Sequence, residues 1–105
     1  IANLQAIQMI IADIAMQTEA ARQLVYHTAE LVDAKMPYSK YASMSKCMGG
    51  DIAMKVSIDA LQVLGGFGYM KEYPLEKLVR DAKILQIYEG TNQIQRMIIA
   101  GEVLR

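Results

Sequence analysis

The apolar positions in the first third of the chain repeat at the spacing of an α-helix. Residues 1–34 contain neither proline nor glycine and are rich in alanine, leucine, glutamine and methionine, all good helix formers. One face is defined by apolar and small residues three and four positions apart. These are Leu4, Ile7, Ile11, Ile14, Thr18, Ala21, Val25, Thr28 and Val32. Further apolar residues widen this face, so we expect the helix to lie between partners. They are Ile10, Met16, Leu24 and Leu31.

Proline and glycine divide the remaining residues into three more helices. After a turn at 35–38, a second long helix is predicted from Ser39, as its N-cap, to Leu64, where Gly65 and Gly66 stop it. A short helix is predicted from Pro74 to about Leu85, and a last one, capped by Thr91, through Leu104. The pattern predicts an all-α fold, an antiparallel four-helix bundle of two long and two shorter helices.

Glycine clusters occur inside and after the second predicted helix. Gly49 and Gly50 stand in its interior, where glycine costs up to about 1 kcal/mol relative to alanine. We expect close approach of another helix to explain them. The segment Gln62–Tyr69 (QVLGGFGY) superficially resembles a dinucleotide-binding fingerprint, but no predicted strand precedes it and no helix starts in it. A helix C-cap followed by a turn explains its glycines.

Composition excludes several classes of function. The 105 residues suffice for one domain, and 11 basic residues balance 11 acidic ones, so we expect no nucleic-acid partner. No apolar stretch approaches the roughly 20 residues of a membrane span, so no membrane association is expected. The single cysteine, Cys47, cannot form an internal disulfide, which is typical of a reducing compartment, and we expect a small core side chain there.

The N-terminal end of the chain has neither a methionine nor a signal-peptide pattern. It begins Ile1-Ala-Asn and enters directly into helical periodicity. We therefore expect residues 1–105 to be one domain of a longer protein.

The residues that favour chemistry lie in the segment Gln86–Arg96 (QIYEGTNQIQR). Glu89 stands among apolar and aromatic residues just before a predicted helix, and an apolar setting makes a carboxylate a better proton acceptor, as a general base requires. The helix dipole opposes this effect. Gly90 would let a ligand approach the backbone, and Thr91 would expose first-turn N–H groups. The spacing alone fits a structural role at least as well, in which the carboxylate of Glu89 only stabilises the N-terminus of the following helix.

Other candidates are more simply explained by structural roles. His27 lies within the first predicted helix without a partner at matching spacing. Arg80 and Asp81 are expected to pair with Glu76 and Lys77, each four residues away on one helix. No metal site is expected.

Three motifs in this order resemble the C-terminal signature of the acyl-CoA dehydrogenase family. They are Ala60–Tyr69 (ALQVLGGFGY), Glu72–Lys83 (EYPLEKLVRDAK) and Gln86–Arg96. Their spacing also matches the family, and the resemblance extends to Tyr41–Lys46 (YASMSK) and Gln5-Ala, so it covers essentially the whole chain.

The resemblance implies a flavin-dependent oxidation of an acyl-CoA substrate. Glu89 matches the catalytic base that takes the α-proton while the β-hydride passes to FAD, which gives a trans-2-enoyl-CoA. Gly90 matches a substrate-binding position, and Tyr88 is expected near the acyl pocket. A glutamate at this position resembles the short-chain, medium-chain and short-branched-chain members, butyryl-type enzymes most of all. Glutaryl-type enzymes remain an alternative.

The resemblance also implies where FAD and protein partners bind. Thr91, Asn92 and Gln93 match one FAD-contacting segment. Leu4 and Gln5 match another pair of residues that contact FAD. A third group matches the loop that reaches FAD held by a neighbouring subunit, and it consists of Gln62, Val63, Leu64, Gly65 and Gly66. The expected partners are other copies of the chain in a homotetramer and an electron-transferring flavoprotein, and the expected location is the bacterial cytoplasm or the mitochondrial matrix.

The family places an N-terminal helical domain and a middle β-domain before this bundle. Because neither is within residues 1–105, we expect the chain alone neither to hold FAD tightly nor to turn over. The alternative function is a helical module that serves only in assembly.

Overall fold

The computed structural model describes all 105 residues and contains five α-helices without strands. The helices are α1 (Gln5–Asp33), α2 (Ser39–Leu64), α3 (Gly66–Tyr69), α4 (Leu75–Ile84) and α5 (Asn92–Val103). The all-α prediction is confirmed. The fifth helix is α3, a single turn inside the predicted loop. A Cβ on Gly68 would lie 2.5 Å from the carbonyl oxygen of Leu61, so this turn packs against the end of α2 only because residue 68 is glycine.

The helix ends follow most of the predicted signals. Gly65 terminates α2 with a φ of 60°, and its N–H donates to the carbonyl of Gln62 at 3.0 Å. Thr91 caps α5, since its Oγ1 accepts the N–H of Ile94 at 3.2 Å. Ser39 is the first residue of α2 rather than its cap, which is Tyr38. Pro74 likewise lies one residue before α4.

Helix α2 is the axis of an open bundle. α1 packs along it and makes no contact with α4 or α5. The interface of α1 with α2 includes a polar cluster, in which the hydroxyls of Thr28 and Ser45 lie 2.8 Å apart. α4 lies beside the C-terminal half of α2, and α5 meets α2 at Cys47 and Asp51. The segment that joins α4 to α5 therefore lies over the middle of α2.

The molecule is elongated and leaves much of α1 exposed. Its radius of gyration is 16.2 Å, against about 13 Å for a compact domain of this length. Only eight residues are buried, among them Cys47, as predicted. Met9, Met16 and Tyr26 are all more than half exposed, so the second neighbour expected for α1 is not within this chain. No helix combines the length and apolar character needed to cross a membrane.

Candidate functional site

The backbone takes an unusual path where it leaves α4. The N–H groups of Ile87 and Tyr88 still donate to the carbonyl of Ile84, at 2.9 and 3.0 Å, and the next two residues are left-handed. Glu89 has a φ of 57° and Gly90 a φ of 85°. A side chain in this region costs about 1–2 kcal/mol. Such a conformation persists only where its surroundings fix the backbone.

Two side chains, one on α2 and one on α5, hold this turn. The carbonyl of Glu89 accepts a hydrogen bond from Nε2 of Gln95 at 3.0 Å, and the carbonyl of Gly90 accepts one from Nζ of Lys46 at 2.6 Å. A Cβ on Gly90 would lie 2.8 Å from the same Gln95 amide. The positive φ therefore favours glycine at position 90, and a larger residue there would also displace the end of the Gln95 side chain.

Asn92 connects the turn to α2. The residue is 2% exposed, and its Nδ2 donates to the carbonyl of Cys47 at 3.0 Å and to Oδ1 of Asp51 at 2.8 Å. Its Oδ1 accepts from Lys46 at 2.7 Å, and its backbone N–H donates to the carbonyl of Gln86 at 3.0 Å. These contacts bind the Asn92 side chain to α2. The FAD contact predicted for the segment of Thr91, Asn92 and Gln93 stays a prediction.

Asp51 receives three hydrogen-bond donors from the α4–α5 region. Nδ2 of Asn92 and Nε2 of Gln86 both bind its Oδ1, the latter at 2.9 Å, and Arg96 pairs with its other oxygen. Partial burial acts to raise the pKa of Asp51. The hydrogen bonds from Arg96, Asn92 and Gln86 outweigh it and hold the pKa of this carboxyl below its usual range.

The lowered pKa of Asp51 predicts a pH-dependent stability. The ionised carboxylate stabilises the fold above the unfolded-state pKa, about 3.8, and this contribution disappears as the pH falls through the lower folded-state pKa. As the pH falls from about 5 through the folded-state pKa of Asp51, we expect the free energy of unfolding to fall less steeply for Asp51→Asn than for the parent chain. Urea unfolding followed by circular dichroism measures it. Asp81→Asn, at an exposed carboxylate, is the control and should keep the parent's slope, and identical slopes for all three chains would contradict the prediction.

Gly50 lets the end of α4 approach α2. A Cβ there would lie 2.9 Å from the carbonyl oxygen of Leu85 and 3.2 Å from Nδ2 of Asn92. The predicted close approach is thus confirmed at Gly50, although the neighbour is the C-cap of α4 together with Asn92. A Cβ on Gly49 would meet nothing within 4 Å, so packing does not explain that glycine.

The outer side of the turn carries free polar groups. The carboxylate of Glu89 is exposed and makes neither a hydrogen bond nor an ion pair. The backbone N–H groups of Glu89, Gly90 and Thr91 also bind no acceptor within the chain. The apolar setting expected around Glu89 is not present, since Ile87 and Tyr88 are each 48% exposed. An unpaired proton acceptor and unpaired hydrogen-bond donors therefore lie on consecutive residues of one turn.

The other predicted cofactor residues form two separate groups. Gln93 is exposed and Thr91 half-buried beside the turn. Gln62, Leu64, Gly65 and Gly66 are exposed and Val63 half-buried at the C-terminal end of α2. Leu4 and Gln5 are exposed at the start of α1, at the same end of the α1–α2 hairpin.

The two groups of predicted cofactor residues lie far apart along α2. Gln62 lies 11 residues beyond Asp51, which corresponds to about 16 Å along α2. The exposed amides and free N–H groups fit FAD, a ligand rich in hydrogen-bonding atoms, at both places. That Gln62 to Gly66 reach FAD held by a neighbouring subunit stays a prediction.

Sequence reasoning gave no role to Lys46 or Asp51, which anchor the turn. The available signal was their position: Lys46 and Gly50, and Cys47 and Asp51, are each four residues apart, so all four share one face of α2. The structural roles predicted elsewhere are confirmed. Arg80 pairs with Glu76 at 3.0 Å and Lys77 with Asp81 at 3.3 Å. The ring of His27 packs edge-on against Tyr41, with their centroids 5.1 Å apart.

Tyr88 borders an apolar groove between α2 and α4. The groove has a volume of about 510 Å³ and is lined mainly by apolar side chains, including Val56, Leu78 and Leu85. It lies next to the turn that carries Glu89 and is open to solvent.

Comparison with known proteins gives consistent matches over the whole chain. Residues 1–104 match the model of the acyl-CoA dehydrogenase C-terminal domain. A cyclohexane-1-carbonyl-CoA dehydrogenase of Geobacter metallireducens is 54% identical over 96% of this chain and 27% of its own length. The butyryl-CoA dehydrogenase of Megasphaera elsdenii is 45% identical and superimposes with a TM-score of 0.97, over 99% of this chain and 27% of that one.

A third match comes from a structure of the electron transferring flavoprotein of Acidaminococcus fermentans. One of its chains is 50% identical, with a TM-score of 0.97, over 99% of this chain and 27% of its own length. The 105 residues thus span about a quarter of the proteins they match. On its sequence, its fold and the matched residues, this chain belongs to the acyl-CoA dehydrogenase family, as the C-terminal domain.

Proposed function

We propose that this chain supplies the catalytic base of an FAD-dependent acyl-CoA dehydrogenase. In the reaction the carboxylate of Glu89 takes a proton from Cα of the acyl-CoA, a hydride leaves Cβ, and a trans double bond forms between the two carbons. FAD, when bound, supplies the acceptor for the hydride. The observation that carries the proposal is the free carboxylate of Glu89 beside free backbone N–H groups, on a turn that Lys46 and Gln95 hold by hydrogen bonds.

The two groups on Glu89 address the two difficulties of this proton transfer. A proton next to a thioester is a weak acid, and as it leaves, negative charge builds up on the thioester oxygen. Hydrogen-bond donors that are already oriented stabilise such charge without reorganising. The N–H of Glu89 makes no hydrogen bond within the chain and so is available as that donor. Base and donor then move together because they belong to one residue.

The cofactor residues are proposed to act in three groups. The segment of Thr91, Asn92 and Gln93, with the free N–H groups at the turn, would hold the flavin near the base. Gln62 to Gly66 would reach FAD of a neighbouring subunit, and Leu4 and Gln5 would form a further FAD contact at the start of α1. Glu89 is exposed in this chain, so the surfaces that exclude water from the reaction would come from the remaining three quarters of an enzyme of the relatives' length.

The substrate class that we propose is the short- to medium-chain acyl-CoA thioesters. The names of the two dehydrogenase relatives support this class, since one acts on cyclohexane-1-carbonyl-CoA and the other on butyryl-CoA.

We further propose that the chain takes part in a homotetramer and transfers electrons to an electron-transferring flavoprotein. The exposed apolar side chains of α1, among them Met9, Met16 and Val25, support burial against other copies of the chain. The similar chain in the Acidaminococcus fermentans structure supports the second partner. The apolar face also favours an assembly role, which the domain would fulfil in addition to carrying the base.

A full-length enzyme tests the proposal. We define the carrier enzyme as a full-length acyl-CoA dehydrogenase whose C-terminal domain is this chain, for example the Megasphaera elsdenii enzyme with its matching 27% replaced. We expect butyryl-CoA to bleach the flavin absorbance of the carrier enzyme and to drive reduction of an artificial dye. The 105-residue chain alone should do neither. A carrier enzyme that retains FAD but oxidises none of butyryl-, octanoyl- and palmitoyl-CoA would contradict the proposed function.

A further inference from the structure

We infer that Lys46 is a positioning residue for the base, and this inference rests on the proposed function of Glu89. Nζ of Lys46 lies 2.6 Å from the carbonyl oxygen of Gly90, the residue that follows Glu89. Its second acceptor is Oδ1 of Asn92 at 2.7 Å, and it forms no ion pair with a carboxylate. Its ammonium group is thus directed at the backbone next to the base.

The hydrogen bond from Lys46 fixes the direction of free N–H groups. In a trans peptide the C=O and the N–H point in opposite directions, and the chain has no cis peptide. Lys46 draws the carbonyl of Gly90 inward, as Gln95 does the carbonyl of Glu89. The N–H groups of the two following residues, Thr91 and Gly90, must then point outward.

Lys46 also helps to keep Glu89 in its left-handed conformation. On the N-terminal side of Glu89, the N–H of Tyr88 ties the peptide between Ile87 and Tyr88 to α4. The two peptides after Glu89 are tied by Gln95 and Lys46. With both sides held, the φ of 57° is maintained and the direction of the Glu89 side chain is set. Loss of the Lys46 contact would release the peptide that follows Gly90.

The contacts that remain without Lys46 distinguish a positioning role from a general contribution to the stability of the fold. Without Lys46, Asn92 would still donate to Cys47 and Asp51, and Asp51 would still pair with Arg96. The start of α5 would therefore stay on α2. Removal of the ammonium group takes a partner from the carbonyl of Gly90 and from Oδ1 of Asn92, while the other contacts of Asn92 with α2 remain. We therefore expect it to affect the chemical step more than folding.

The test substitutes Lys46 in the carrier enzyme. Lys46→Met removes the ammonium group at similar length, and we expect kcat for butyryl-CoA to fall roughly 10- to 100-fold, because small displacements of a catalytic group cost this much. KM should change less than about twofold, and FAD should be retained. The isotope effect on kcat with α-deuterated butyryl-CoA should rise, since proton transfer becomes slower relative to the other steps.

Two further variants complete the comparison. Lys46→Arg can still donate to the Gly90 carbonyl and should recover part of the lost kcat. Lys55→Met is the matched control on the same helix. Lys55 forms an ion pair with Asp59 on the exposed side of α2. Removal of the Lys55 ammonium group should therefore leave kcat and the isotope effect unchanged.

Each remaining outcome decides the inference. Lys46→Met with the parent's kcat and isotope effect would overturn it, and so would loss of FAD or unfolding, which would make Lys46 a structural residue. Glu89→Gln, measured alongside, separates the two levels. If Glu89→Gln retains activity, the proposed function fails. If Glu89→Gln is inactive while Lys46→Met equals the parent, only the role of Lys46 fails.

Discussion

Glu89→Gln in the carrier enzyme is expected to lower kcat by about 10²- to 10⁴-fold, the usual contribution of a general base. Glutamine has nearly the same shape, but its amide cannot accept the α-proton. The carboxylate of Glu89 makes no hydrogen bond or ion pair in the chain, so its replacement removes no contact that holds the fold. FAD content and thermal stability should therefore stay close to those of the parent, while dye reduction by butyryl-CoA is nearly lost.

The control for this prediction is Glu72→Gln, at another exposed and unpaired glutamate of the chain. It should keep the parent's kcat. If the domain served only in assembly, both variants would be as active as the parent enzyme, and that result would contradict the role of Glu89 as the base.

Gly50→Ala and Gly49→Ala are expected to change stability in opposite directions. An alanine Cβ at position 50 would lie 2.9 Å from the backbone oxygen of Leu85, so α4 and the turn after it must move. Such overpacking costs typically about 1–3 kcal/mol. At position 49 nothing lies within 4 Å, and alanine should stabilise the helix by up to about 1 kcal/mol. Urea unfolding of the three chains measures both effects.

This pair has a functional consequence as well. Because Leu85 begins the segment that carries Glu89, Gly50→Ala should also lower kcat in the carrier enzyme, whereas Gly49→Ala should not. Equal stabilities of the two variants would show that α2 and the end of α4 are not as close as the structure places them.

The long helices could be predicted because their signals are local. The uninterrupted periodicity of α1, the glycine stop of α2 at Gly65 and the Thr91 cap of α5 each depend on a few neighbouring residues. α3 could not be predicted in the same way. Its glycines indicate a loop, and the helical turn depends on a contact between Gly68 and Leu61 that only the folded chain defines.

The candidate site divides in the same manner. Glu89 and Gly90 could be located from their motif. The roles of Lys46, Asp51 and Asn92 could not, because they depend on how α5 sits against α2, across 41 to 46 residues of sequence. The exposure of Glu89 was also not predictable. Ile87 and Tyr88, the residues expected to enclose it, are themselves half exposed and do not cover the turn.

Deuterium exchange at Cα tests the central claim, that Glu89 moves the α-proton, without depending on later steps. The carrier enzyme is incubated in D₂O with butyryl-CoA in the absence of an electron acceptor, and deuterium at Cα is followed by proton NMR. We expect the parent to exchange the α-proton and the Glu89→Gln enzyme, with FAD bound, to exchange it at least about 100-fold more slowly. Exchange at the parent's rate by Glu89→Gln would contradict the account.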